Sequence, residues 1–361
     1  MRKLFALAAL AGLIAPAAAQ EPKKDEPKKP EITLKVGDPA PPVRATKWLQ
    51  GAEVKEFAKD KVYVMEFWAT WCGPCIVMMP HLGELQAMYK DKGVTFIGFS
   101  KKDPSNSLEK VQALVAKRGP KLGYTFAYAD DEETYNAWMK AAGRGGIPNC
   151  FVVDKAGKIA NIGHPMYLDV VLPKVVAGKW TESDGEGLKK IEDEVNAVFT
   201  ATRDTNPEVF LTKLGEFEKA HPELAGIPYF NGPRINSLLK AKKTDEAKKA
   251  IEGLIAKGVK TDDHTVLSMM SSVSRSPAAA GDKELLALSL KAAEAGLKIA
   301  GEKDVFALLT VAEAHLAGGD KAKAKDFGAK AAAAAEGEPA NIKKYVESQV
   351  KKFDDEEKKD K

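Results

Sequence analysis

The sequence predicts an α/β half followed by an all-α half, on three observations. A short run of β-branched and aromatic residues, Val62 to Trp68, stops at a turn and runs into Cys72-Gly73-Pro74-Cys75 and a helix-like apolar pattern. Strand-like and helix-like segments then alternate as far as Gly178, the pattern of a sheet with parallel members. After Trp180 strand signals nearly vanish, and alanine, lysine, leucine and glutamate dominate at helical spacing. A length of 361 residues suits about two domains, each able to bury a core.

Taken in order, residues 1–20 have the layout of a secretory signal peptide. Arg2 and Lys3 form the charged end, Leu4 to Ile14 the apolar stretch, and Ala17-Ala18-Ala19 the small-residue cleavage site. The apolar stretch is too short to span a bilayer, and no cysteine follows it to carry a lipid. The expected product is exported, periplasmic or secreted, and soluble. Residues 21–31, EPKKDEPKKPE, read as a disordered charged tether. A formal net charge of +4, without a basic-aromatic patch, argues against a nucleic-acid partner.

Trp48 to Lys59 reads as a loop and short helix leading into the central strand. Ile76, Val77, Met78, Met79 and Leu82 support a helix that begins at the cysteines, with Pro80 kinking it. His81 beside that proline reads as a surface residue without a role. Gly93 to Ser100 and Tyr124 to Tyr128 read as strands, Leu108 to Arg118 and Glu132 to Ala142 as helices. Gly145-Gly146-Ile147-Pro148 precedes the apolar run Cys150 to Val153. Asp154 to Gly157 reads as a hairpin turn into Lys158 to Ile162, and Met166 to Gly178 as a closing helix.

Strand, two cysteines two residues apart, then helix: this context makes a C-x-x-C pair a redox motif. A cysteine at a helix N-terminus lies at the positive end of the macrodipole beside unpaired N–H groups, which stabilise its thiolate. Cys72 is therefore the expected nucleophile, and Cys75, one turn later, the resolving thiol. Gly73 and Pro74 shape the first turn, where the missing N–H of proline costs little. The alternative is half of a zinc site or a structural disulfide. Zinc would need two more ligands at metal-like spacing, and only Cys150 and five scattered histidines remain. No metal is expected, nor any cofactor beyond the redox-active Cys72–Cys75 pair. An exported chain with three cysteines, two of them so placed, handles other proteins' disulfides rather than bracing itself.

FWATWCGPC, together with VGDPAPPV (Val36 to Val43) and GIPNCFVVDKAGKIANIGH (Gly146 to His164), resembles the TlpA/ResA-like branch of exported thiol–disulfide oxidoreductases. The resemblance covers about 32–180 and implies a thioredoxin-like domain there. Glu66, a carboxylate within an interior strand six positions before Cys72, stands where thioredoxins carry a buried acid, and that likeness implies that it shuttles a proton to and from Cys75 through water; the alternatives are a wet edge or a lysine partner. Many members carry no charge at that position, so Glu66 leans towards ordinary thioredoxins. The resemblance also implies a cis bond before Pro148, with the backbone of Ile147 pairing with a substrate chain and Trp71 contacting it. Cys150 reads as an inert core thiol, with a third redox thiol as the alternative, and His164 as structural.

Thr181 to Gly187 reads as a polar linker, and 188–353 as an α-helical domain. Two helices, near Leu188 to Thr202 and Pro207 to Ala220, precede helix pairs whose second members open near Asp245, Asp282 and Asp320. That recurrence of about 37 residues is close to tetratricopeptide-type repeats. In the last pair, Leu308, Val311 and Ala312 lie on the first helix and Ala324, Gly328 and Ala331 occupy the small-residue contact positions on the second; the earlier pairs match the repeat poorly. A plain helical bundle is the alternative. Residues 354–361 read as a charged tail.

The expected function is reduction of protein disulfides, with electrons from a membrane donor, as the Gly-Pro pair of reducing thioredoxins and the family resemblance imply. Three alternatives stand beside it. One is a disulfide oxidase or isomerase. Another is peroxiredoxin-like activity, disfavoured because Ala69 stands where that family needs a threonine before a lone cysteine. The third is an interaction protein whose stacked helices hold a protein partner while the redox domain is secondary.

Overall fold

The computed structural model describes residues 32–358; the stretches expected to be a signal peptide and a charged tether, 1–20 and 21–31, and the last three residues of the expected tail lie outside them. Six strands form one sheet: β1 (Lys47–Gln50), β2 (Val62–Trp68), β3 (Val94–Lys101), β4 (Thr125–Ala129), β5 (Asn149–Val153) and β6 (Ile159–Gly163), in the order β1-β4-β3-β2-β5-β6. β2, β3 and β4 run parallel, and β1, β5 and β6 pair antiparallel to their neighbours. The sheet is therefore mixed, with its parallel members at the centre. Every residue of β2 is buried. This is why the stretch reads as a continuous apolar run instead of an alternating one.

Among the helices of this half, α1 (Gly73–Tyr89) follows β2, α2 (Leu108–Leu122) follows β3, and α3 (Glu133–Tyr135) continues through a π-helical turn, Asn136–Lys140. α4 (Leu168–Val176) closes the half. Pro80 lies inside α1 without ending it. Gly83 lets α1 and α2 approach closely, since a Cβ there would sit 2.8 Å from the carbonyl oxygen of Leu122.

Two expectations fail here. Trp48 does not enter a helix: Lys47–Gln50 pair with β4 as an edge strand, and 51–59 are irregular. The 181–187 stretch is no linker. Thr181 caps α5 (Glu182–Ala201) in a reciprocal capping box with Asp184, so the helix starts almost at once. Its polar first turn faces water, which is what made it read as a tether.

The second half is helical throughout: α6 (Pro207–Ala220), α7 (Asn231–Lys240), α8 (Thr244–Lys260), α9 (His264–Ser274), α10 (Lys283–Ala300), α11 (Val305–Ala317), α12 (Lys321–Ala334) and α13 (Ala340–Lys358). Successive helices stack as hairpins, and α8, α10 and α12 are the expected second members. Asp282 and Asp320 are N-caps whose carboxylates accept backbone N–H groups. Leu308, Val311 and Ala312 of α11 and Ala324, Gly328 and Ala331 of α12 are all buried, as the expected helix pair requires. α13 carries the charged tail on as helix to Lys358.

The two halves share a core. The apolar cluster that holds Cys72, Cys75 and Met79 continues through Leu172 into Leu188, Phe210 and Phe230. Polar contacts reinforce the seam. Arg118 of α2 reaches Asp263 at 3.3 Å with both side chains buried, Lys257 meets Glu84 at 3.2 Å, and Lys121 pairs with Asp262.

Candidate active site

The site is built where β2 ends and α1 begins. Cys72 is the N-cap of α1 and is joined to Cys75 in a disulfide, their Cα atoms 5.3 Å apart. Its Sγ accepts the backbone N–H of Cys75 at 3.2 Å. The helix N-terminus thus presents a donor to the sulfur that would carry negative charge when reduced. Cys72 is only 3% exposed and Cys75 is fully buried, whereas Gly73 and Pro74 between them are exposed. The Ile147–Pro148 peptide is cis, as the resemblance implied.

A groove of about 470 Å³ runs beside this turn. Its lining includes Ala69, Trp71, Phe99, Asp103, Tyr135 and Ile147. The structure thus brings Trp71 and Ile147 to one groove, with Pro148 buried behind it. Trp71 is 56% exposed and is held by its indole N–H, which donates to Asp103 Oδ2 at 2.9 Å. Asn106 Oδ1 accepts the Thr70 backbone N–H at 2.9 Å, while its amide donates to Ser100 Oγ and to the Lys101 carbonyl. The redox turn is therefore tied to the loop after β3. Nothing in the spacing of Asp103 and Asn106 marked them; their Asx-type turn chemistry was the only signal.

Glu66 lies in mid-strand and is 1% exposed, its two carboxylate oxygens without a hydrogen-bond partner among the described residues. Neither the wet edge nor the lysine partner is present. By alternation it shares a sheet face with Val64 and Trp68, which pack in the cluster that holds both redox cysteines. Burial pushes its carboxyl up to about 8. Cys150 faces Glu66 across the β2–β5 ladder, fully buried, and burial followed by the Glu66 charge pushes its thiol far up. That is the state of an inert thiol.

The expectation that His81 is a surface residue is corrected. Its side chain is mostly buried between α1 and α4, with Nε2 2.6 Å from Asp169 and Nδ1 3.5 Å from Glu84. Burial works against its charge, but the bonds to Asp169 and Glu84 outweigh it and raise the imidazole to about 9. His164 is structural as expected: its Nδ1 accepts the Met166 N–H at 3.1 Å, and burial lowers it to about 4.

One residue escaped the sequence altogether. Tyr229, in the short turn Pro228–Phe230 before α7, donates its hydroxyl to the Pro74 carbonyl at 2.9 Å. Its ring stands edge-on to His164, with centroids 5.4 Å apart. It lies 155 positions from Pro74, so no local pattern could announce it.

Comparison with known proteins matches this half. The redoxin family model matches residues 35–165. FixW of Rhizobium leguminosarum is 33% identical over 162 residues, 44% of this chain and 73% of that protein. The thiol–disulfide oxidoreductase ResA of Bacillus thuringiensis subsp. konkukian is 30% identical over 131 residues, 36% of this chain and 69% of that protein. ResA of Geobacillus thermodenitrificans is 31% identical over 104 residues, 29% of this chain and 55% of that protein. Each likeness covers less than half of this chain. With a helix-capped cysteine pair, a neighbouring cis-proline and these relatives in agreement, the chain belongs to the redoxin-type thiol–disulfide oxidoreductase family that includes ResA.

Proposed function

We propose that this oxidoreductase is exported and reduces disulfides of other exported proteins through a mixed-disulfide intermediate. The observation that carries the reading is Cys72 Sγ at the α1 N-cap, accepting the Cys75 N–H beside the groove lined by Trp71 and Ile147. In the reduced pair, the Cys72 thiolate attacks one sulfur of a substrate disulfide, and the other leaves as a thiolate. Cys75 then loses its proton to the Glu66 carboxylate and attacks Cys72 Sγ. The second substrate sulfur departs, and the Cys72–Cys75 disulfide remains. Two electrons pass from the pair to the substrate. A value near 8 gives Glu66 access to both protonation states around neutral pH, as a proton shuttle requires. The substrate chain pairs with the Ile147 backbone and lies along Trp71. A membrane electron carrier reduces the pair again, and the stacked helices of the second half recruit a protein partner.

The test uses the full chain. Cys75→Ala, incubated in reduced form with insulin, accumulates a mixed disulfide that dithiothreitol releases, while the wild type turns insulin over and Cys72→Ala does neither. No adduct on Cys75→Ala would overturn the mechanism. Redox titration then decides direction: a potential near about −270 mV supports a reductant, and one near about −120 mV makes the protein a disulfide donor.

A further inference from the structure

We propose that Tyr229 of the helical half is a positioning residue for the redox pair, acting through a single peptide unit on the Cys72 sulfur. The proposal rests on the redox reading above. The Tyr229 hydroxyl donates to the carbonyl oxygen of Pro74 at 2.9 Å. That carbonyl belongs to the Pro74–Cys75 peptide, whose N–H donates to Cys72 Sγ at 3.2 Å. Donor, peptide and sulfur form one chain of hydrogen bonds. A bond accepted at the carbonyl end polarises the peptide and strengthens the bond donated at the N–H end. Only the thiolate profits fully, because a charged acceptor draws the stronger bond. Tyr229 thus stabilises the reduced pair relative to the disulfide and makes the couple more oxidising than the first half would set alone.

The second half is built to hold this contact. Phe230, next in sequence, is fully buried in the cluster that contains both cysteines, which anchors the turn. On its other side Tyr229 meets the ring of His164, so the hydroxyl is aimed instead of free to rotate away. Among the described residues, the cluster that holds the cysteines also contains the titratable Cys150, Tyr89, Tyr124, Tyr128 and Tyr167, with Glu66 opposite Cys150, His164 against the Tyr229 ring and Asp103 beyond Trp71. Replacing Tyr229 by phenylalanine keeps the ring and leaves all of these in place.

The experiment compares full-length wild type, Tyr229→Phe and Lys121→Gln. Lys121 pairs with Asp262 across the same seam but does not touch the redox turn. Two readouts are taken: the pH profile of Cys72 alkylation by iodoacetamide, and the potential above the Cys72 pKa. A charge-assisted bond strengthened by its relay predicts a loss of thiolate stabilisation of about two- to fourfold in Tyr229→Phe. At 29.6 mV per tenfold, the potential falls by about 9 to 18 mV. Lys121→Gln moves neither. A wild-type couple unchanged in Tyr229→Phe overturns the relay and leaves the redox reading standing. An equal shift in Lys121→Gln overturns it too, since loosened docking would then suffice. No reversible couple in the wild type overturns both.

Discussion

Glu66 and Cys150 face one another across the β2–β5 ladder, a carboxyl without a hydrogen-bond partner among the described residues against a free, buried thiol. The carboxyl is the costlier of the two. Its folded value, about 8, lies above the ordinary 4.5, so between those values the folded protein holds a proton that the unfolded chain has lost. The Glu66 contribution to stability is therefore fully present below about pH 4.5 and declines as pH rises towards 8. At about 1.36 kcal/mol per pH unit, the loss reaches roughly 5 kcal/mol. Glu66→Gln should remove this contribution, so that its stability relative to the wild type, from urea unfolding, rises steadily from pH 4.5 to 8. It should also slow the Cys75 step by about 10²-fold if the carboxyl carries the proton. His81, raised to about 9, loses its contribution between 6.5 and 9, and His164, lowered to about 4, adds stability as pH rises from 4 to 6.5, so Glu66 is read as the difference between wild type and variant at each pH. A stability difference between variant and wild type that does not change with pH would refute the assignment.

Cys150 should be silent. Its thiol should resist a thiol reagent in the folded protein and react only on denaturation. Cys150→Ala should leave insulin reduction and potential unchanged, at a cost of about 1 kcal/mol for the space left behind. A shifted potential would make it a third redox thiol after all.

Arg118 holds the seam between the halves. It faces Asp263, whose carboxylate also accepts the N–H groups of Thr265 and Val266 at the start of α9. Arg118→Met leaves a buried carboxylate without its cation and should destabilise by about 3 kcal/mol. The readout is the urea midpoint at unchanged slope. An unaltered midpoint would mean that the two backbone donors suffice.

Gly328 lets α12 pack closely against α13. A Cβ there would lie 2.7 Å from the Phe353 ring, so Gly328→Ala should cost about 1–3 kcal/mol despite the better helix propensity of alanine. A stabilised variant, read by thermal unfolding, would show that α13 is free to give way.

Much of the molecule was legible because the signals are local. The β2 run, the N-cap position of Cys72 and the proline before β5 each follow from a few adjacent residues, as do the helices capped by Asp282 and Asp320. Errors came where a local pattern has two readings. The polar stretch 181–187 has the composition of a tether, but Thr181 and Asp184 satisfy each other's backbone donors and begin a helix. Trp48 carries too short a strand to show alternation, and its pairing partner lies far off in β4. His81 sits beside an exposed-looking turn of α1, and Asp169, which buries its charge, comes from α4.

By itself, then, the sequence determined the redox pair, its place at a helix start, the buried acid and the change from sheet to helices, all set by periodicity and capping within a few residues. Only the tertiary structure decided that the halves share one core, that His81 is ion-paired, and that Tyr229 reaches the Pro74 carbonyl. Those contacts join residues far apart in the chain. Their geometry comes from how helices and sheet pack, and no short-range pattern records that.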